Sequence, residues 1–164
     1  MKRLTPWQWT LIAAVLARGI QALTWKHWEY PDAWFQTIEL GRHLWGAQAL
    51  ASQEWDLHLR APLWPLISGG LSIWGEHTGF RDGALILVQL LCAVLSLGPV
   101  FAWKKISRAH DGWWIVALPA LLLKDTIQPS SEMVSLHVFC WALAVWNPKK
   151  IWHVLGAGML AALC

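Results

Sequence analysis

Residues 61–75 read APLWPLISGGLSIWG, and whether this apolar stretch crosses a bilayer decides the fold. Two prolines and a Gly-Gly pair argue against a straight spanning helix. Charge supplies the stronger argument. If the stretch does not cross, one side of the membrane holds Lys2, Arg3, Lys104, Lys105, Arg108, Lys149 and Lys150, with Asp111 as its only acid. The other side then holds the remaining nine of the ten acids, with Lys26, Arg42, Arg60, Arg81 and Lys124. Cationic residues concentrate in cytoplasmic loops, so this division is a strong orientation signal. A crossing at 61–75 would move Lys104, Lys105 and Arg108 outside and destroy it. The stretch is therefore expected to lie half-buried in the outer interface.

The rest of the chain agrees with a membrane setting. Of 164 residues, 56% are hydrophobic and 14% charged, whereas about a quarter are charged in soluble domains. Fifteen are tryptophan, whose ring is buried and whose N–H stays wet at a membrane surface. The expectation is an all-α, polytopic membrane protein forming a single module over 1–164. Its spans fall near 6–25, 84–103, 112–124, 131–146 and 151–164, around an outer loop over 26–82. The N-terminus is then cytoplasmic and the first loop outside. Met1-Lys2-Arg3 and the apolar run behind it resemble a signal peptide, but that run continues through Arg18 to Trp25, so a retained first helix is expected. Cys92, Cys140 and Cys164 show no metal-type spacing and read as inert thiols. No long repeat is visible, and polar residues gather at the surface rather than the midplane, which argues against a transporter.

Directly after the first span comes HWEYPDAWFQTIELG, residues 27–41. Pro31 suits the first turn of a helix, where its missing N–H costs nothing. A helix from Pro31 to Trp45, advancing about 100° per residue, puts Asp32, Gln36, Glu39 and His43 on one stripe. Trp34, Ile38, Gly41 and Trp45 lie opposite. This polar stripe is either the solvated face of an interfacial helix or a catalytic carboxylate held beside a lipid-borne substrate.

The residues YPDAWFQTIELGRHLWG, 30–46, resemble the "HPDExFQ…E…H" signature of the lipid-linked mannosyltransferases of the Alg9 and PIG-B type, within the multispanning C-type glycosyltransferase (GT-C) superfamily. Asp32 falls on the family's aspartate, Phe35-Gln36 on its "FQ" and Glu39 on its second acid. EWDLHLRAPLWPLI, 54–67, resembles the segment that follows, with Arg60 ahead of an aromatic-proline pair. Arg18 falls where related enzymes carry an arginine in the first span. Ser131-Glu132 is similar to the family's "SE" at the outer end of a helix. Tyr30 and Ala33 depart from the histidine and glutamate of the "HPDE" core, and Arg42-His43 reverses the family's His-Arg. Family members are longer, so the chain looks like an N-terminal GT-C-like portion, incomplete at its C-terminus and with little transfer activity alone.

The resemblance implies transfer of a sugar, mannose or another hexose, from a polyprenyl-phosphate donor to an acceptor hydroxyl outside the cytoplasm. The acceptor would be a glycan or lipid, and its C-terminal spans or a partner subunit would complete the site. A single displacement inverts the anomeric centre and needs one carboxylate as base. Asp32 is expected to be that base. Gln36 and Glu39 are expected to bind acceptor hydroxyls or hold Asp32. Arg60 is the candidate phosphate partner, since a guanidinium forks onto phosphate oxygens, though a snorkelling arginine reads equally well. Lys124 is a weaker candidate. Arg18 is costly in a span unless it faces protein or water, so it is either functional or structural. Glu132 could answer it or cap its helix. The remaining histidines, His27, His58, His77, His110, His137 and His153, show no ligand spacing. No Asp-x-Asp pair occurs, so neither metal nor other cofactor is expected, and no nucleic-acid partner. The alternative from a different class is a small non-catalytic multi-pass protein, an accessory subunit or degenerate fragment. Asn147 precedes Pro148, so no glycosylation sequon marks an ER lumen, and a bacterial inner membrane is expected.

Overall fold

The computed structural model describes residues 4–24, 34–47, 63–106, 130–147 and 149–162. Among these, every regular element is a helix and there is no strand. In chain order they are α1 (Pro6–Thr24); α2, a π-helical turn Trp34–Glu39 running into Leu40–Leu44; α3 (Leu63–Thr78); α4 (Arg81–Leu95); α5 (Gly98–Ile106); α6 (Ser131–Val145); and α7 (Ile151–Ala162). Arg81–Ile106, α4 with α5, is long and apolar enough to cross a membrane, and Met133–Val145 is a shorter apolar helix. The segment 112–124 lies outside the described residues.

Helix ends follow local chemistry. Thr5 and Gln8 form a reciprocal cap at the start of α1: the Thr5 N–H donates to Gln8 Oε1 at 2.8 Å, and the Gln8 N–H to Thr5 Oγ1 at 3.4 Å. Pro6 occupies the first helical position, where no N–H is needed. At α6 the Met133 N–H donates to Ser130 Oγ at 3.3 Å, so Ser130 is the cap. α2 ends at Gly46, whose φ of 78° suits the residue after a helix. There the Ala47 N–H reaches Arg42 O and the Gly46 N–H reaches His43 O.

The stretch that decides the topology is a helix, α3, clamped between α2 and α4. The α2–α3 crossing is backbone on backbone. A side chain on Gly41 would strike Pro65 and Gly69, and one on Gly69 would strike Gly41 and Arg42. Glycine here permits an approach that any Cβ would block. Ile38 from α2, Trp64 from α3, Val88 and Cys92 from α4, and Val134 from α6 meet in one buried core.

One stretch of the fold is irregular for a stated reason. Pro99 has no N–H, so Leu95 O loses its helical partner. The break spreads through the neighbouring bonds, because the Leu97 N–H turns to Val94 O and the Val100 N–H to Leu97 O. Ala93 O, Leu95 O and Ser96 O are thereby freed between α4 and α5. Ala93 O is met by the Ser96 hydroxyl at 2.8 Å, and Leu95 O by the Trp141 indole N–H at 3.0 Å. Ser96 O is met by Arg18 Nη2 at 3.2 Å.

Charged residues cluster at the two ends of the bundle. Lys104 lies 3.9 Å over the ring of Trp7, and Lys105 Nζ donates to Ala144 O at 3.0 Å. The start of α1, the end of α5 and the end of α6 therefore share one end. Glu39, Arg42, Glu76 and Arg81 gather at the other. Between the ends, α1 exposes Trp9, Leu16, Ile20 and Leu23, and α7 exposes Trp152 and Met159. Apolar faces of this kind mark contact with lipid or protein.

Candidate functional site

The expected site helix is present but wound differently. An i→i+5 π turn changes which residues share a face. Trp34 and Glu39 were expected on opposite sides. In the structure the Trp34 indole N–H donates to Glu39 Oε1 at 3.1 Å. Ile38 and Gly41 face inward as the stripe requires, Ile38 into the core and Gly41 onto α3. Trp45 is exposed, yet its indole N–H donates to Leu66 O at 2.8 Å, tying the end of α2 to α3. Gln36 is half-buried.

Glu39 does not stand alone. Arg42 Nε lies 4.0 Å from Glu39 Oε1, and Arg42 Nη1 donates to Glu76 Oε1 at 2.5 Å. Ser72 Oγ accepts from the same Nη1 at 3.4 Å, and Arg81 Nε lies 4.0 Å from Glu76 Oε1. The hydrogen bond from Arg42 holds the Glu76 carboxyl below the usual range, and its acceptor role raises Arg42 in turn. Among the described residues, the contacts made to Glu39 fall on Oε1. This end of the molecule thus offers a carboxylate, an amide and a guanidinium on a rigid mount.

Arg18 occupies a second polar cluster. It is 1% exposed. Its Nε donates to Ser96 Oγ at 2.6 Å, Nη2 to Ser96 O at 3.2 Å and Nη1 to Ala14 O at 3.2 Å. His137 is also buried, and among the described residues its Nδ1 has no hydrogen-bond partner. Arg81 and Ser96 stand at opposite ends of the α4 segment, roughly 22 Å apart at the usual helical rise. Arg18 is therefore not gathered with Glu39 and Glu76.

Asp32, Arg60 and Lys124 lie outside the described residues. Glu132 sits in the first turn of α6. No role is expected from the sequence for Arg42, Glu76 or Ser96, and His137 shows no ligand spacing there. Arg42 could have been found from its i,i+3 spacing to Glu39. Glu76 carried no local signal, because it pairs across 34 residues. Among the described residues, no group of three or more His, Cys, Asp or Glu could hold a metal ion.

The chain is 26% identical over 159 residues to "GPI mannosyltransferase 3" of Yarrowia lipolytica, with 88% of this chain covered. The chain spans 31% of that relative's length. No family model and no solved structure matches.

Proposed function

We propose that this chain belongs to a membrane glycosyltransferase that moves a sugar, mannose or another hexose, from a polyprenyl-phosphate donor to an acceptor hydroxyl on the non-cytoplasmic side. The observation that carries the reading is the mount of α2. Gly41 is locked on Gly69, Trp45 is bonded to α3, and Ile38 is in the core. That clamp fixes a carboxylate-bearing turn at the end of the bundle that holds the Glu39–Arg42–Glu76 cluster, two residues beyond Asp32 in the sequence. The distant likeness to a named mannosyltransferase supports the same class.

On this reading the acceptor hydroxyl attacks the anomeric carbon while the bond from that carbon to the lipid phosphate breaks. Asp32 takes the hydroxyl proton, and the phosphate departs with the lipid and the bonding electrons. One displacement inverts the centre, with no covalent sugar–enzyme intermediate. Gln36 and Glu39 bind acceptor hydroxyls. Arg60 meets the leaving phosphate, where positioned cations act most strongly on developing charge. Arg18 is assigned to the helix break rather than to the substrate, since its donors already meet Ser96 and Ala14. The multi-pass topology proposed places the basic end with Lys104, Lys105, Lys149 and Lys150 in the cytoplasm.

Membranes carrying the full-length protein should transfer label from a polyprenyl-phosphate mannose or hexose to a glycan or glycolipid acceptor. Absence of transfer with every such donor, at confirmed expression, refutes the reading.

A further inference from the structure

Arg42 is shared between two carboxylates. Its Nη1 bonds Glu76 at 2.5 Å, while its Nε stands 4.0 Å from Glu39, buried and, among the described residues, without a hydrogen-bond partner. A guanidinium carries five N–H donors in a rigid fork. A small rotation would shorten the 4.0 Å ion pair with Glu39 into a direct hydrogen bond. Glu76 prevents this by holding the fork on the α3 side. Ser72 and Arg81 steady that arrangement, the first bonding the same Nη1 and the second lying 4.0 Å from Glu76. Glu39 instead receives a neutral donor, the Trp34 indole N–H at 3.1 Å, which fixes the carboxylate without cancelling its charge.

We propose that Glu76 is a positioning residue, which draws Arg42 away from Glu39 and keeps Glu39 open to accept a hydroxyl of the sugar acceptor. The inference rests on the reading of Glu39 as an acceptor contact. It also depends on α2 and α3 being fixed relative to each other. The Gly41–Gly69 crossing fixes them, since it leaves no room for the two backbones to slide past a side chain.

The test reads Glu39 directly. The detergent-solubilised full chain is treated with a water-soluble carbodiimide and an amine, and modification of Glu39 is measured by peptide mass spectrometry. In Glu76→Ala, Arg42 collapses onto Glu39, and its modification should fall about two- to fivefold, the scale of a partly exposed ion pair. Glu76→Gln keeps a hydrogen-bond acceptor and should fall less. In the double variant Glu76→Ala with Arg42→Met, no cation remains to collapse, and modification should return to the wild-type level. Unchanged Glu39 modification in Glu76→Ala overturns the proposal. So does an equal fall in the double variant, which would show a general loss of local structure. A separate assay on the full-length protein isolates the other premise. If labelling behaves as expected, the KM for acceptor should rise in Glu76→Ala with kcat changed less. An unchanged KM would then reject Glu39 as an acceptor contact while leaving the positioning by Glu76 intact.

Discussion

Two arginines show two ways of keeping a guanidinium in this protein. Arg42 is 17% exposed at the acidic end and is answered by carboxylates. Arg18 is 1% exposed between helices and, among the described residues, is answered by a hydroxyl and backbone carbonyls. The difference follows from what each environment can supply. Near water, an acid on a neighbouring helix suffices and the pair is weak. Inside the bundle a carboxylate would itself need desolvation. There the chain breaks a helix at Pro99, and one of the freed carbonyls, Ser96 O, meets the cation. The Arg18 end is thus a structural lock, and the Arg42 end an adjustable electrostatic site.

That contrast breaks most visibly at Arg18. Arg18→Met should cost about 2–3 kcal/mol in detergent unfolding, because Ser96 O and Ser96 Oγ lose a buried donor. A neutral result would show that the break stands without its clamp. The second effect is smaller and tests the origin of the break. Trp141→Phe removes the N–H that meets Leu95 O and should cost about 1 kcal/mol. In a Pro99→Ala background the restored N–H can serve Leu95 O, and most of that cost should vanish. Full additivity of the two substitutions would contradict the account.

The acidic end should respond more weakly. Arg42→Met should change stability by less than about 1 kcal/mol, and salt should erase the difference. Its pH dependence has a definite sign. The Glu76 carboxyl is lowered on folding, first by the Arg42 hydrogen bond. Its contribution is therefore complete above the ordinary glutamate range, near 4.3, and is lost as pH falls through the lower folded value. Arg42→Met should flatten that part of the acid unfolding curve. An identical acid limb in both proteins would show that the pair adds nothing.

The sequence carried the helical class, because apolar runs and caps are local. Ser130 before an apolar run and Thr5-Pro6 with Gln8 are such signals. It also carried the inward face of α2 at Ile38 and Gly41. The π turn was not legible, since its register comes from packing on α3, and a 100° stripe misplaced Trp34 relative to Glu39. The Arg42–Glu76 pair was hidden for another reason: it joins residues on two helices brought together by the Gly41–Gly69 crossing, the Trp45–Leu66 bond and the shared core. Pro99 announced a disturbance in an apolar helix, but nothing local showed that Arg18 and Trp141 would take up its freed carbonyls.

The base proposed for the acceptor hydroxyl is Asp32, two residues ahead of the turn held by α3 in the sequence, and it is the residue to change. Asp32→Asn is nearly isosteric and should leave folding intact. Transfer from a labelled polyprenyl-phosphate sugar should be measured in membranes carrying the full-length protein, with expression matched to wild type. The account predicts a loss of about 100-fold or more, the scale of general acid–base catalysis, and a smaller loss for Glu39→Gln. Near-normal transfer by Asp32→Asn would contradict it and move the base elsewhere, with Glu39 the first residue to test.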